Sequence, residues 1–218
     1  MGKPFTFVRG CWLEGYLRCC YTRCVVNQRF NRSYFDRYYG KRPVRTLHEV
    51  AHLATAVHEL ATWWSSPIRS VLEVGAGPGD WSNWYRTMQP NVRVTSVDVS
   101  EHACATYGHQ QRDISSWSPS KPFDLVICMD VLQYLDDINA TRALRNLTKA
   151  TRTYLYFDAL TTFDAKHTVD RDATDLDAHL RSGTWYRQRL SRSFKQAGAG
   201  LWVRKTSSVV LHELEHAR

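Results

Sequence analysis

The stretch Val71-Leu72-Glu73-Val74-Gly75-Ala76-Gly77-Pro78-Gly79-Asp80 constrains this chain more than any other. A short apolar run with β-branched Val71 and Val74 ends in three glycines on alternate positions. Trp81-Ser82-Asn83-Trp84-Tyr85-Arg86 then reads as the opening of a helix. Strand, glycine turn and helix in that order form the first unit of a nucleotide-binding α/β sheet. In a dinucleotide-binding turn the spacing is G-x-G-x-x-G, and the pyrophosphate rests on the helix N-terminus. Here the third glycine follows the second by two residues, and Glu73 sits two residues before the first. A carboxylate at that turn suits a ligand with an ammonium group better than one with a pyrophosphate.

Three later segments extend the pattern. Val92-Arg93-Val94-Thr95-Ser96-Val97-Asp98 alternates and is β-branched, hence a second strand, and Asp98 at its end can accept from both hydroxyls of a ribose. Arg112-Asp113-Ile114 follows in a turn. Phe123-Asp124-Leu125-Val126-Ile127-Cys128-Met129-Asp130 then carries an unbroken apolar core, which suits a strand buried on both faces of a parallel sheet.

Taken in order, E-x-G-x-G-x-G at 73–79, Asp98, Arg112-Asp113-Ile114 and the segment 123–137 resemble the motifs of the class I S-adenosylmethionine-dependent methyltransferases. The resemblance spans roughly residues 34–212. It implies a Rossmann-like seven-stranded, mostly parallel α/β sheet with helices on both faces and an antiparallel last strand, with S-adenosylmethionine as cofactor. It further implies that Gly75, Gly77 and Gly79 present backbone to the adenosyl and methionine parts, with Glu73 ordering the loop near the amino group. On the same parallel Asp98 takes the ribose, Val99 lies against adenine, and Asp113 beside Ile114 accepts from the adenine amino group. Asp130 and Tyr134 fall at the cofactor mouth.

The rest of the chain is organised around that core. Residues 1–65 are expected to be a helical segment covering the site, with helices at 12–25 and 45–64 and an aromatic cluster that includes Tyr34, Tyr38 and Tyr39. Residues 66–218 are expected to form the methyltransferase core. Within it, a helix is expected at 137–150, a strand at 153–158, a polar substrate loop at 159–182, a helix at 182–196 and closing strands at 201–204 and 208–212. Asp130, Asp158 and His167 are the candidate general bases. Tyr38, Tyr134, Arg181 and Trp185 are the candidate acceptor contacts, with Arg181 and His167 placed to hold an anionic or phenolic small molecule.

Charge and cysteine content bear on the alternatives. The net charge of +8 divides into +7 over residues 1–50, −5 over 51–180 and +6 over 181–218. Basic ends make RNA the alternative acceptor, although the segment after strand four lacks the N-P-P-Y tetrad of base-amino methylases. A non-catalytic cofactor-binding module is the reading from a different class. Six cysteines in a chain of 218 residues do not make a disulfide scaffold, so reduced thiols and a cytoplasmic location are expected. No apolar run reaches the length of a membrane span, and the sequence does not address oligomeric state.

His48-Glu49-Val50-Ala51-His52 matches the zinc-peptidase motif H-E-x-x-H, and His58 stands at the third-ligand position of its longer form. On a straight helix, at about 100° per residue, His58 points roughly 80° away from His48. The helix-breaking glycine of the longer motif is replaced by Thr55. No metal is therefore expected.

Overall fold

A computed structural model describes residues 29–40 and 43–212 of the chain. The helix expected at 12–25 lies outside the described residues. Among the described residues two helices precede the first strand, α1 (Arg32–Tyr38) and α2 (Leu47–Trp63). The start of α2 is a reciprocal cap: the Thr46 side chain accepts from the Glu49 amide, and the Glu49 carboxylate accepts from the Thr46 amide. Val50, Ala54, Val57 and Ala61 recur at helical spacing and form its buried face.

Seven strands follow: β1 (Ser70–Val74), β2 (Arg93–Asp98), β3 (Gln110–Gln111), β4 (Phe123–Met129), β5 (Thr151–Asp158), β6 (Phe194–Gly198) and β7 (Leu201–Arg204). They lie in the order β3-β2-β1-β4-β5-β7-β6. The first five are parallel neighbours, and β7 runs antiparallel to both β5 and β6. The connecting helices are α3 (Asp80–Met88), α4 (Glu101–Tyr107), α5 (Asp137–Ala150), α6 (Asp164–His167) and α7 (Gly183–Leu190). This is the Rossmann-like methyltransferase fold that the motif order implied.

Apolar side chains alternate between two cores. Leu72, Val74, Val126, Cys128 and Leu155 face Ala143, Leu144 and Leu147 of α5 and Leu190 of α7. Val71, Leu125, Ile127, Tyr154 and Tyr156 face Val50, Val57 and Ala61 of α2 and Tyr85 of α3. Covering both faces is why β1 and β4 read as apolar runs in the sequence. The strand order reverses between β1 and β4, so their carboxyl ends diverge into a crevice, the usual place for a ligand in an open α/β sheet.

The carboxyl-terminal part differs from the sequence expectation. The helix expected over 182–196 stops at Leu190, and Phe194–Gly198 is a strand. Gly198, Ala199 and Gly200 all take positive φ, at 120°, 46° and 82°. The two glycines therefore turn a hairpin between β6 and β7 rather than ending a helix. Residues 208–212 are not a strand; Leu211 packs into the second core from an irregular segment. The expected loop 159–182 is tied at its base, where Thr161 and Arg181 form a parallel bridge and the Thr162 amide donates to the Arg181 carbonyl at 2.9 Å. Among the described residues no helix is long and apolar enough to cross a membrane, and Cys104 and Cys128 are free thiols.

Candidate active site

Glu73 leaves β1 buried, and its Oε2 accepts from the Ser82 amide in the first turn of α3 at 3.0 Å. Burial pushes its carboxyl up to about 7 against the pull of the Ser82 hydrogen bonds. Gly75 holds a φ of +65°, and a Cβ there would lie 2.2 Å from Cγ2 of Val131, so the loop at this point admits no side chain. The loop is braced from behind by His109, whose Nε2 sits 3.0 Å from the Gly77 carbonyl and whose Nδ1 sits 2.8 Å from Ser96 Oγ. Because a carbonyl only accepts, the neutral ring carries its proton on Nε2 and accepts at Nδ1 from the Ser96 hydroxyl.

Asp98 ties the same loop from the end of β2. Its Oδ2 accepts from the Gly77 amide at 2.9 Å and its Oδ1 from the Ser100 amide at 2.8 Å. Each oxygen keeps a second lone pair for a hydroxyl. Val99 accepts from the Gln111 side chain through its carbonyl. Asp113 Oδ1 caps the Ser115 amide at 2.7 Å, and the buried Ile114 accepts from Asn146 through its carbonyl at 2.8 Å. The start of the described chain covers this side. The Ser100 hydroxyl donates to the Phe30 carbonyl, and Phe35 of α1 packs near His102 and Tyr107 of α4.

From the glycine loop a cavity of about 340 Å³ opens toward the carboxyl ends of β4 and β5. Glu73, Gly75, Ala76 and Pro78 line its floor, and Tyr34, Tyr38, Tyr39, Trp81 and Tyr134 supply aromatic walls. Gly77, Gly79, Asp98, Val99, Asp113 and Ile114 lie outside its lining, behind and beside the loop. Asp130 stands at the mouth in the left-handed region, with φ 54°. Arg45, just ahead of α2, bridges the two strand ends: Nη1 lies 2.6 Å from Asp130 Oδ2, and Nη2 lies 2.5 Å from Asp158 Oδ2. Burial lowers the basicity of the Arg45 guanidinium, but Asp130 and Asp158 outweigh it, and the net effect is upward. The Asp158 carboxyl is raised by burial and by neighbouring Asp130, with Arg45 opposing. Gln133 Nε2 donates to Asp130 Oδ1 at 3.2 Å, and the Tyr34 and Tyr134 hydroxyls meet at 2.9 Å.

Of the residues singled out in the sequence, Glu73, Gly75, Tyr38, Asp130, Tyr134 and Asp158 therefore meet in one cavity, with the other cofactor candidates behind and beside the glycine loop. The remaining acceptor and base candidates, Arg181, Trp185 and His167, stand elsewhere. Arg181 is a scaffold residue: it is 5% exposed, its Nε donates to Asp137 at 2.7 Å, and its other nitrogens donate to the carbonyls of Leu132, Leu135 and His179. All three of its nitrogens are engaged beneath the turn after β4, and it does not line the cavity. Trp185 lies outside the cavity, between the Arg181 and Arg189 guanidiniums at 4.8 and 3.7 Å. His167 is exposed and packs on Phe163 at 4.7 Å, away from the lining.

Arg45, Gln133 and His109 are site residues that the sequence reading missed. Their roles come from contacts across the fold, and no local pattern marks them. The peptidase-like histidines do not converge. His48 and His52 meet edge to face at 4.3 Å on an exposed surface, whereas His58 turns toward Trp84 and Tyr85. No group of three potential ligands occurs among the described residues.

The chemistry of the donor set fits S-adenosylmethionine. A glycine floor without room for a Cβ admits a closely bound ligand, buried Glu73 suits an ammonium, and Arg45 suits a carboxylate. A family profile described as Methyltransferase domain matches residues 41–201. No curated protein sequence matches the chain. Among solved structures, magnesium protoporphyrin IX methyltransferase (ChlM) from Synechocystis PCC 6803 with bound SAM is similar at a TM-score of 0.57 and 19% identity, over 84% of this chain and 97% of that one. The plantazolicin methyltransferase BpumL in complex with a monoazolic desmethylPZN analog and SAH is similar at 0.60 and 15%, over 84% and 78%. The N-methyltransferase NodS from Bradyrhizobium japonicum WM9 is similar at 0.51 and 17%, over 72% and 87%. At such identities these likenesses speak to the fold, while the profile covers most of the chain and speaks to the family. The chain belongs to the methyltransferase domain family.

Proposed function

We propose that the chain transfers the methyl group of S-adenosylmethionine to a small-molecule acceptor at the carboxyl ends of β4 and β5. The observation that carries this reading is the continuous cavity from the glycine loop to Asp130, Tyr134 and Asp158. When bound, S-adenosylmethionine supplies an electrophilic sulfonium methyl. The protein's task is then to hold the acceptor in line with it and to exclude water. Glu73, Gly75, Gly77 and Gly79 would hold the methionine and ribose side, with Arg45 as the partner of its carboxylate. Asp98 would take the ribose hydroxyls through its free lone pairs, Val99, Asp113 and Ile114 would border the adenine, and Asp130 would flank the reacting end. Asp130 and Asp158 are the candidate general bases.

The alternative acceptor, RNA, is disfavoured by the charge of the mouth. Glu73, Asp80, Asp130, Asp158, Asp164 and Asp175 line the cavity against Arg45 alone among the described residues. Such a wall repels a phosphodiester backbone. Calorimetry tests the cofactor assignment: S-adenosylhomocysteine should bind, and NADH should not bind comparably. Asp98→Ala should weaken S-adenosylhomocysteine at least about tenfold, or 1.4 kcal/mol. Unchanged affinity would refute the ribose role.

A further inference from the structure

We propose that the acceptor is an amine that arrives as a cation. The inference rests on the methyltransferase reading above and names its substrate class. The guanidinium and imidazole expected to greet an anionic acceptor are elsewhere: Arg181 is buried in the scaffold and His167 faces outward. Among the described residues the cavity wall carries six carboxylates; Arg45 is bonded to two of them, Asp130 and Asp158, and Arg29 at the rim pairs with a third, Asp175, which leaves Glu73, Asp80 and Asp164 without a cationic partner. An anionic acceptor would enter against that field, whereas a protonated amine would enter along it.

The walls are equally selective. Five aromatic rings line the cavity, and the faces of such rings attract cations. The Tyr134 ring already takes one, since the Arg29 guanidinium carbon lies 4.8 Å from its centroid. Arg29 also reaches Asp175 of the 159–182 loop at 3.1 Å, so one rim pairs an aromatic face with a carboxylate around a cation.

A single buried atom adds an independent sign. Gln133 is 3% exposed and lines the cavity, and among the described residues its Oε1 has no hydrogen-bond partner. The amide cannot be turned to relieve this, because Oε1 would then face Asp130 Oδ1, acceptor against acceptor. A buried carbonyl left in that state calls for a donor. An amine N–H supplies one, as a hydroxyl would, and a carboxylate does not.

The transfer balances with groups already present. The ammonium first releases a proton to Asp130 or Asp158, which passes it to water. The nitrogen lone pair then forms the bond to the methyl carbon as the sulfur–carbon bond breaks, and that bond's electron pair stays on sulfur. The products are S-adenosylhomocysteine and an N-methylammonium.

The test uses the full chain at pH 7.5, with and without saturating S-adenosylhomocysteine, and three matched probes: 2-phenylethylamine, 2-phenylethanol and phenylacetate. Calorimetry should show the amine binding at least tenfold more tightly than phenylacetate, with the alcohol between them. Gln133→Leu should weaken the amine at least fivefold and leave S-adenosylhomocysteine within twofold. Phenylacetate binding as tightly as the amine, or no amine binding at millimolar concentration, would overturn the proposal. So would a Gln133→Leu variant that loses S-adenosylhomocysteine and keeps the amine, because the orphaned oxygen would then serve the cofactor. Failure of S-adenosylhomocysteine to bind the parent chain would instead overturn the cofactor reading, and the amine titration without it would still decide the charge preference.

Discussion

The substitution Glu73→Gln separates two roles of one carboxyl, its cost to the fold and its service to the cofactor. The residue is 5% exposed, and burial raises its carboxyl from 4.5 to about 7. At about 1.4 kcal/mol per pH unit, ionising it in the folded chain costs about 3 kcal/mol. The sign follows from linkage. Below pH 4.5 the carboxyl is protonated in both folded and unfolded chains, so there is no penalty. As the pH rises through about 7 the unfolded chain has already released its proton, and the stability present at low pH is lost. The glutamine amide of the variant keeps an oxygen for the Ser82 amide but does not titrate. Urea unfolding of both proteins at pH 4.5, 6, 7 and 8 isolates the effect, because all other groups cancel in the difference. The variant should gain on the parent by up to about 3 kcal/mol between the lowest and highest pH. Its affinity for S-adenosylhomocysteine at pH 8 should nevertheless fall at least about tenfold, since the counter-charge to the ammonium is gone. A stability difference that does not change with pH would refute the burial argument. An unchanged affinity would leave Glu73 with the fold alone.

Other expectations follow from single contacts. Gly75→Ala places a Cβ 2.2 Å from Val131 Cγ2 at a φ of +65°; left-handed strain of about 1–2 kcal/mol and overpacking of about 1–3 kcal/mol should lower the Tm by roughly 4 °C or more in a thermal melt, and a parental Tm would contradict the loop geometry. Arg181→Ala should destabilise the chain by about 3 kcal/mol by urea unfolding while the folded protein keeps its S-adenosylhomocysteine affinity within about 1 kcal/mol; the reverse pattern would return Arg181 to the binding site. Protein purified without a histidine tag should carry well under one zinc per chain by elemental analysis, whereas stoichiometric zinc lost on changing His48 and His52 to Ala would revive the metal reading.

By itself the sequence determined those parts of the molecule whose cause is local. Three glycines on alternate positions and the apolar run ahead of them need only neighbouring residues, and the strand and turn stand where that pattern put them. The hairpin after β6 shows the limit of such signals. Glycine ends a helix and turns a hairpin by the same freedom of φ, and only the pairing of Phe194 with Arg204 selects the strand. Charge placement lay wholly with the tertiary structure. Arg45 and Arg181 carry the same side chain, and nothing beside either one in the chain tells them apart. Arg45 reaches carboxylates 85 and 113 residues away and faces the cavity, while Arg181 folds beneath the turn after β4 and is consumed by its carbonyls. A guanidinium goes where the packed chain offers it acceptors, and those acceptors come together only when distant segments meet.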